Sequence, residues 1–322
     1  MYLDETFSDK LETEYVAGVD ENNVEQVLED IIKSGADIIF CVGPQMMPNS
    51  LKVAVEHPEV YILNCSLNAP HPYIRTYYGR MYEAKFLAGM IAGAVTDNER
   101  VAYIADYPIY GMIANINAFA LGVASVNPRA KVYLAWSKTK DYDRNKFLTE
   151  NDLHYVSDQD IITPNDASRY FGLYKLQDGQ ALNLAMPIWN WGVFYEKLLQ
   201  SVLAGSYKAE GQEQVKALNY WWGMSAGVID LICSKHVPYG VKRLADHLKS
   251  DITKGEVVPF FGQIYNQKGE LKNKGEHEMK PSDIMKMDWL VDNVVGSIPP
   301  MSEFVDNAKM VVELKGVEEN KL

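Results

Sequence analysis

The stretch ADIIFCVGPQMMPNSLKVAVEHPEVYILNCS, residues 36–66, decides the fold. Ala36–Gly43 is a continuous apolar run, the composition of a strand buried on both faces of a parallel sheet. Gly43-Pro44-Gln45 makes a turn, Asn49–Glu56 supports a helix that His57-Pro58 stops, and Val60–Cys65 is a second buried strand. Strand, helix and strand at this spacing form a βαβ unit, with parallel pairing and a right-handed crossover.

The alternation continues on both sides. Upstream, Val24, Val27, Leu28, Ile31 and Ile32 form the apolar stripe of a helix over Val24–Lys33, closed by Ser34-Gly35. Downstream, helices are predicted at Tyr82–Val95, Ile113–Val126 and Trp191–Leu203. Strands are predicted at Val101–Ala105, Ala130–Trp136, Leu153–Val156, Phe171–Tyr174 and Leu218–Trp222. Beyond Pro259 the character changes to a hairpin-like FFGQIYNQKGEL, a charged stretch from Lys268 to Lys280 that reads as solvated, and a predicted helix over Ser282–Val295. In α/β proteins of this kind, ligands bind at the carboxyl ends of strands, where the loops converge.

Composition narrows the function. A chain of 322 residues, 47% hydrophobic and 23% charged, has the length of two lobes and the makeup of a soluble globular protein. A net charge of −12 with no basic stripe argues against nucleic acid. Cys41 and Cys65 lie in apolar strands and Cys233 makes an odd third, which favours buried thiols over a disulfide framework. MYLDETFSDK has no basic n-region, apolar h-region or lipobox cysteine. The longest apolar run, Phe86–Val95, is half a membrane span. As it stands the sequence reads as a cytoplasmic or processed chain with no direct membrane span; a removed signal or lipobox would make it extracytoplasmic and anchored.

Residues 36–66, followed by YYGRMYEAKFLAGMIAGAV (77–95), VAYIADYPI (101–109), NAFALGVASVNPRAKVYLAWS (117–137), WWGMSAGVIDL (221–231) and VKRLADHLKSDITKGEV (241–257), resemble the basic-membrane-protein family of solute-binding proteins, which includes purine-nucleoside receptors. The resemblance spans roughly Glu14 to Pro259. It implies a two-lobed type I periplasmic-binding-protein-like fold, with doubly wound parallel sheets and a hinge. Lobe I would be 1–77 with 186–217, lobe II 78–185 with 218–262, and 263–322 a C-terminal extension. It further implies non-enzymatic binding of a nucleoside-like solute in the interlobe cleft, as the substrate-binding component of an ABC-type transporter. The partners implied are the small-molecule ligand and either an ABC permease or an N-terminal regulatory region. A cytoplasmic ligand-sensing domain on the same fold is the alternative.

Family members open with a strand that this chain lacks. Glu14–Val19 (EYVAGV) is then expected as the second strand and 36–42 as the third, the two closing on each other, or Ala308–Leu314 (AKMVVEL), a segment of a neighbouring subunit or removed sequence entering the gap. The family's cationic ligand contact falls near Ile188-Trp189, where PIWNWG stands, and its glycine-rich loop is replaced by VSDQDIITP (156–164).

The candidate ligand residues follow from these strand ends. Asp106 and Tyr107 follow a buried strand, and a carboxylate there accepts ribose hydroxyls or base N–H groups. Gly43, Pro44, Gln45 and Met46 follow a lobe I strand, and Ser157, Asp158 and Gln159 follow the strand LHYV. Trp189, Asn190 and Trp191 form an aromatic and amide cluster suited to stacking on a planar or sugar ligand. Gly223–Gly227 (GMSAG) matches G-x-S-x-G, and an α/β hydrolase using Ser225 is the less favoured alternative, because the apolar Val228–Cys233 follows where an elbow needs a helix; the resemblance implies that the segment is a glycine-rich hinge crossing. The six histidines have no ligand spacing, and no cofactor is expected. Gly89 and Gly93 read as close helix packing.

Overall fold

The computed structural model describes residues 2–7, 10–67, 71–160, 169–205 and 219–317. In chain order it forms α1 (Tyr2–Thr6), α2 (Val24–Lys33), β1 (Ile38–Cys41), α3 (Met47–Glu56), β2 (Tyr61–Cys65) and β3 (Arg75–Gly79). Then come α4 (Met81–Val95), β4 (Arg100–Ala105), α5 (Met112–Val126), β5 (Lys131–Trp136), α6 (Arg144–Glu150) and β6 (Tyr155–Ser157). β7 (Leu173–Gln177), β8 (Gln180–Trp189), α7 (Trp191–Leu203), β9 (Asn219–Trp222), β10 (Ile229–Cys233) and α8 (Tyr239–Lys254) follow. The tail holds β11 (Gln263–Tyr265), β12 (Leu271–Lys274), α9 (Pro281–Met285), β13 (Val294–Val295) and α10 (Asp306–Lys315). Leu218 and residues 161–164 lie outside the described residues.

The chain divides into two compact units: Met1–Gly79 with Asn190–Trp222, and Arg80–Trp189 with Gly223–Leu322. The first carries a four-stranded parallel sheet in the order β1-β2-β3-β9. Ile39, Cys41 and Ile62 pack with Val24, Leu28, Val53 and Ala54 of α2 and α3. The alternate residue Phe40 turns the other way, edge-on to Tyr77 and Tyr195, so β1 is covered by side chains on both faces as its unbroken apolar run requires.

Neither segment expected beside β1 is found there. Glu14–Val19 forms no strand and is largely exposed, and Ala308–Leu314 lies within helix α10 of the second unit. β1 is instead an edge strand of this sheet. Solvation can satisfy the N–H and C=O groups of an edge strand, so pairing with Glu14–Val19 is not required.

The second unit carries a seven-stranded sheet in the order β10-β8-β7-β6-β4-β5-β13. β6, β4, β5 and β13 run parallel, while β7 is antiparallel to β6 and β8, and β10 to β8. The antiparallel insertion has a local cause. Asp178-Gly179 forms a two-residue link with φ of 51° and 74°, the conformation of a type I′ hairpin turn.

Helix α4 carries apolar residues on all sides, with Glu83 and Lys85 as its charged exceptions, and Met81–Gly93 is buried throughout. It lies against α5 so closely that a Cβ on Gly89 would strike the Phe119 carbonyl, and one on Gly122 the Phe86 carbonyl. The tail is built into this unit. Asn117 of α5 donates to Trp289 O at 2.8 Å and accepts from Val291 N at 3.0 Å, and Asn293 donates to Ala120 O. Those bonds hold the backbone after Met287 in an extended path onto β5, so the helix expected over Ser282–Val295 ends at Met285.

Candidate functional site

The second unit gathers its polar side chains at one place. Because β4, β5 and β6 run parallel with Ala105 beside Trp136 and Tyr103 beside Ser157, the residues that follow them emerge together at the carboxyl edge of the sheet. Ser137 after β5 donates its hydroxyl to Asp106 after β4. It is the one donor that reaches this carboxylate among the described residues. Asp158, after β6, accepts the Tyr174 hydroxyl at 2.9 Å, the Gln159 backbone N–H at 2.9 Å and an Arg144 N–H at 3.2 Å. Arg144 also donates to the Tyr174 hydroxyl and lies 3.9 Å above the Tyr170 ring. Asp143 caps α6 by accepting Lys146 N, which places Arg144 on its first turn.

Beneath this edge, Lys85 of α4 is 1% exposed. It donates to Ser157 Oγ at 3.1 Å and to Asp160 Oδ1 at 2.6 Å, and sits 5.0 Å from the centre of the Tyr103 ring. A buried ammonium persists only when paired and hydrogen-bonded, and here each requirement is met. Burial pushes the carboxyls of Asp158 and Asp160 above the usual range, against the pull of Arg144 on the first and Lys85 on the second. Burial and the charge of Asp158 together push the Tyr142 phenol up to about 12, and Asp106 adds to that effect. Asp106 also acts on Asp160. Asp106, Asp158, Asp160, Tyr142, Arg144 and Lys85 therefore form one electrostatic cluster.

Of the residues predicted from sequence, the structure brings Asp106, Ser157 and Asp158 into this cluster. Tyr107 and Gln159 flank it, half-buried and exposed respectively. Trp189 ends β8 half-buried, its backbone paired with Ile229 of β10. Sequence reasoning missed Lys85, Ser137, Arg144, Tyr170 and Tyr174. Lys85 carried a readable signal: the one cation in a helix whose residues are apolar apart from it and Glu83 must find a buried partner.

The remaining candidates belong to the first unit. Gly43 is buried and its carbonyl accepts from the Asn64 side chain at 3.0 Å. Pro44 and Gln45 are exposed at the carboxyl end of β1, while Met46 is buried in the core against α2 and α3. Asn190 precedes the first turn of α7. Trp191 joins an aromatic cluster, stacked on Tyr195 and edge-on to Tyr77 and Phe194.

Ser225 lies in a single 3₁₀ turn, Met224–Ala226, followed by strand β10 rather than a helix. Its hydroxyl accepts from Arg80 at 3.4 Å, and no histidine bonds it among the described residues. The geometry is not a nucleophile elbow. Glu29, Glu56 and His57 could offer a cation three ligand atoms, but both ring nitrogens of His57 already face carboxylates, Glu29 at 2.9 Å and Glu59 at 3.3 Å. No helix among the described residues is long and apolar enough to cross a membrane.

The chain is 27% identical over 311 residues to a purine-binding protein of Brucella abortus, covering 92% of this chain and 87% of that one. It is 30% identical over 239 residues to a Haloferax volcanii protein named as an ABC transporter glucose-binding protein, covering 70% of this chain and 59% of that protein. Among solved structures, an ABC transporter solute-binding protein from Conexibacter woesei superposes with a TM-score of 0.55 at 17% identity, over 80% of this chain and 90% of that one. A transcriptional activator of the comK gene from Bacillus halodurans gives 0.55 at 15%, over 75% and 87%. These two show the fold alone, the two-lobed periplasmic-binding architecture expected from the sequence. The model of the Bmp family, ABC transporter substrate-binding protein PnrA-like, matches residues 2–170. With more than half its length matched, the chain belongs to the Bmp family, whose members are substrate-binding components of ABC transporters and not enzymes.

Proposed function

We propose that this substrate-binding protein takes a purine, a nucleoside or a closely similar polar solute, and presents it to an ABC permease. The observation that carries the reading is the second oxygen of Asp106. That carboxylate is half-buried at the carboxyl edge of a parallel sheet, and Ser137 is its one donor among the described residues. An aspartate so placed accepts a ribose hydroxyl or a ring N–H as a charge-assisted hydrogen bond. Arg144, which lies over the Tyr170 ring and bonds the Tyr174 hydroxyl, adds polar and aromatic groups to the same cluster. The purine-binding relative supports the purine class. Tyr107, Gln159, Trp189, Asn190, Trp191 and the Gly43–Gln45 loop are the further contact residues in this reading.

Binding to the native state raises the melting temperature by mass action, so a thermal-shift panel of purines, nucleosides and glucose tests the class directly. A shift with a purine or nucleoside is the expected result. A shift with glucose alone would move the assignment to hexoses.

A further inference from the structure

The segment Met301–Val317 runs across two loops of the second unit, those that follow β4 and β5. At one end it meets the loop after β5. The Val305 N–H donates to Lys138 O at 3.0 Å, the Lys140 N–H donates to Glu303 O at 2.9 Å, and Lys140 Nζ donates to Ser302 O at 2.8 Å. At the other end the Val317 N–H donates to Pro108 O, in the loop after β4, at 3.1 Å, and Gly316 bridges Ile109. Between these anchors stands α10, whose Ala308 and Val312 are buried, with Phe304 buried before it and Val317 after it. Apolar burial along that side fixes the segment to the unit.

The same two loops are joined a second time, at the sheet, by the bond from Ser137 to Asp106. Lys138 adjoins Ser137, and Pro108 lies close after Asp106 in the chain. The loops are therefore closed into a bracket, bonded once at the site and once through α10. Neither can swing away from the other without releasing an anchor.

We propose that Met301–Val317 is a strap that positions the solute site: through Lys138 and Pro108 it holds the two loops in register before solute arrives. The inference rests on the solute-binding reading above and adds positioning residues that touch no solute. A loop whose conformation is already fixed loses less freedom on binding, so more of the contact energy appears as affinity. Val305 and Val317 act through their backbone N–H groups, and a variant that removes the N–H differs from one that only trims the side chain.

Proline makes that distinction. Val305 has a φ of −64°, the angle proline holds, and Phe304 before it is extended at φ −79° and ψ 152°, as a residue preceding proline must be. Val305→Pro therefore fits the backbone and deletes the donor to Lys138, whereas Val305→Ala keeps it. Gly316→Ala tests the far anchor, since a Cβ there would strike the Val312 carbonyl and shift the chain beside Ile109. Adenosine and glucose are titrated calorimetrically into the wild type and the three variants, with a melting curve for each. The expected result is that Val305→Ala binds as the wild type does, while Val305→Pro and Gly316→Ala melt cooperatively and bind about fivefold or more weakly. A strap with a structural role alone would lower the melting temperature of Val305→Pro and leave its affinity unchanged. That result would overturn the proposal, as would an equal loss of affinity in Val305→Ala. If a variant does not fold, hydrogen exchange on the wild type decides. Whichever of the two solutes binds should slow exchange of the Val305 and Val317 amides and not of β11 and β12; equal slowing, or none, would overturn the strap. A wild type that binds neither adenosine nor glucose counts against the solute-binding reading itself, and against the strap with it.

Discussion

The carboxylate of Glu83 accepts the backbone N–H of Met224 at 2.6 Å, tying the start of α4 to the turn that follows β9. Arg80 stands 3.3 Å from the other Glu83 oxygen, and a Cβ on Gly223 would run into this carboxylate. The contact explains why the Gly-Met-Ser-Ala-Gly segment opens with glycine: Gly223 leaves room for a buried acid that anchors its neighbour. Replacing Glu83 by alanine would orphan the buried Met224 N–H and is expected to cost about 1–3 kcal/mol. Denaturant unfolding of Glu83→Ala and Gly223→Ala checks this, both losing stability.

Glu83 also gives a pH signature. Burial holds its carboxyl above its ordinary value, against the opposing effects of Arg80 and the Met224 N–H. The folded protein therefore binds this proton more tightly than the unfolded chain. The group's contribution to stability is complete below the ordinary glutamate value of about 4.3 and is lost as pH rises through the raised folded value. Glu83→Gln, which carries no titrating proton, should show a flatter decline of stability with pH across the weakly acidic range. An identical decline in the variant would assign it to Asp158 and Asp160 alone, whose carboxyls are raised in the same sense.

Lys85→Met removes the buried cation and leaves Asp160 without its partner. Breaking a buried pair on one side costs about 3–5 kcal/mol. The double variant Lys85→Met with Asp160→Asn should recover part of that loss, since no uncompensated charge is left behind. Denaturation midpoints of the wild type, both single variants and the double variant form the cycle that measures it.

Gly89 lies against the Phe119 carbonyl with no space for a side chain. Gly89→Ala must push α4 and α5 apart, and overpacking of this kind costs about 1–3 kcal/mol. The exposed Gly240, whose Cβ would meet nothing, is the control: Gly240→Ala should be neutral or slightly stabilising.

The alternation of strand and helix over residues 36–136 was legible because most buried elements carry their own periodicity; β3 (Arg75–Gly79), rich in polar and aromatic residues, went unread. Trp191–Leu203 was bounded correctly from its apolar pattern alone. The antiparallel β7–β8 hairpin went unread although Asp178-Gly179 announces it, because the strands on either side are short of alternating apolar residues. Helix α6 was missed for a similar reason, RNKFLTE offering little apolar stripe. The tail helix was overextended because the amide of Asn117, 174 positions from Val291, holds the backbone there. At the site, Asp106 and Asp158 were visible as acids that end buried strands. Arg144, Ser137 and Tyr174 were not, since they join the cluster by different routes, Ser137 through the parallel β4–β5 pair, Tyr174 through the antiparallel β6–β7 pair and Arg144 from the first turn of α6.

The most direct test of the central claim is a calorimetric titration of purines and nucleosides into the full chain and into Asp106→Ala. The account predicts saturable binding to the wild type and a loss of about tenfold or more in the variant, the loss of one charge-assisted hydrogen bond. Undiminished affinity in Asp106→Ala, with the fold shown intact by its melting curve, would contradict it.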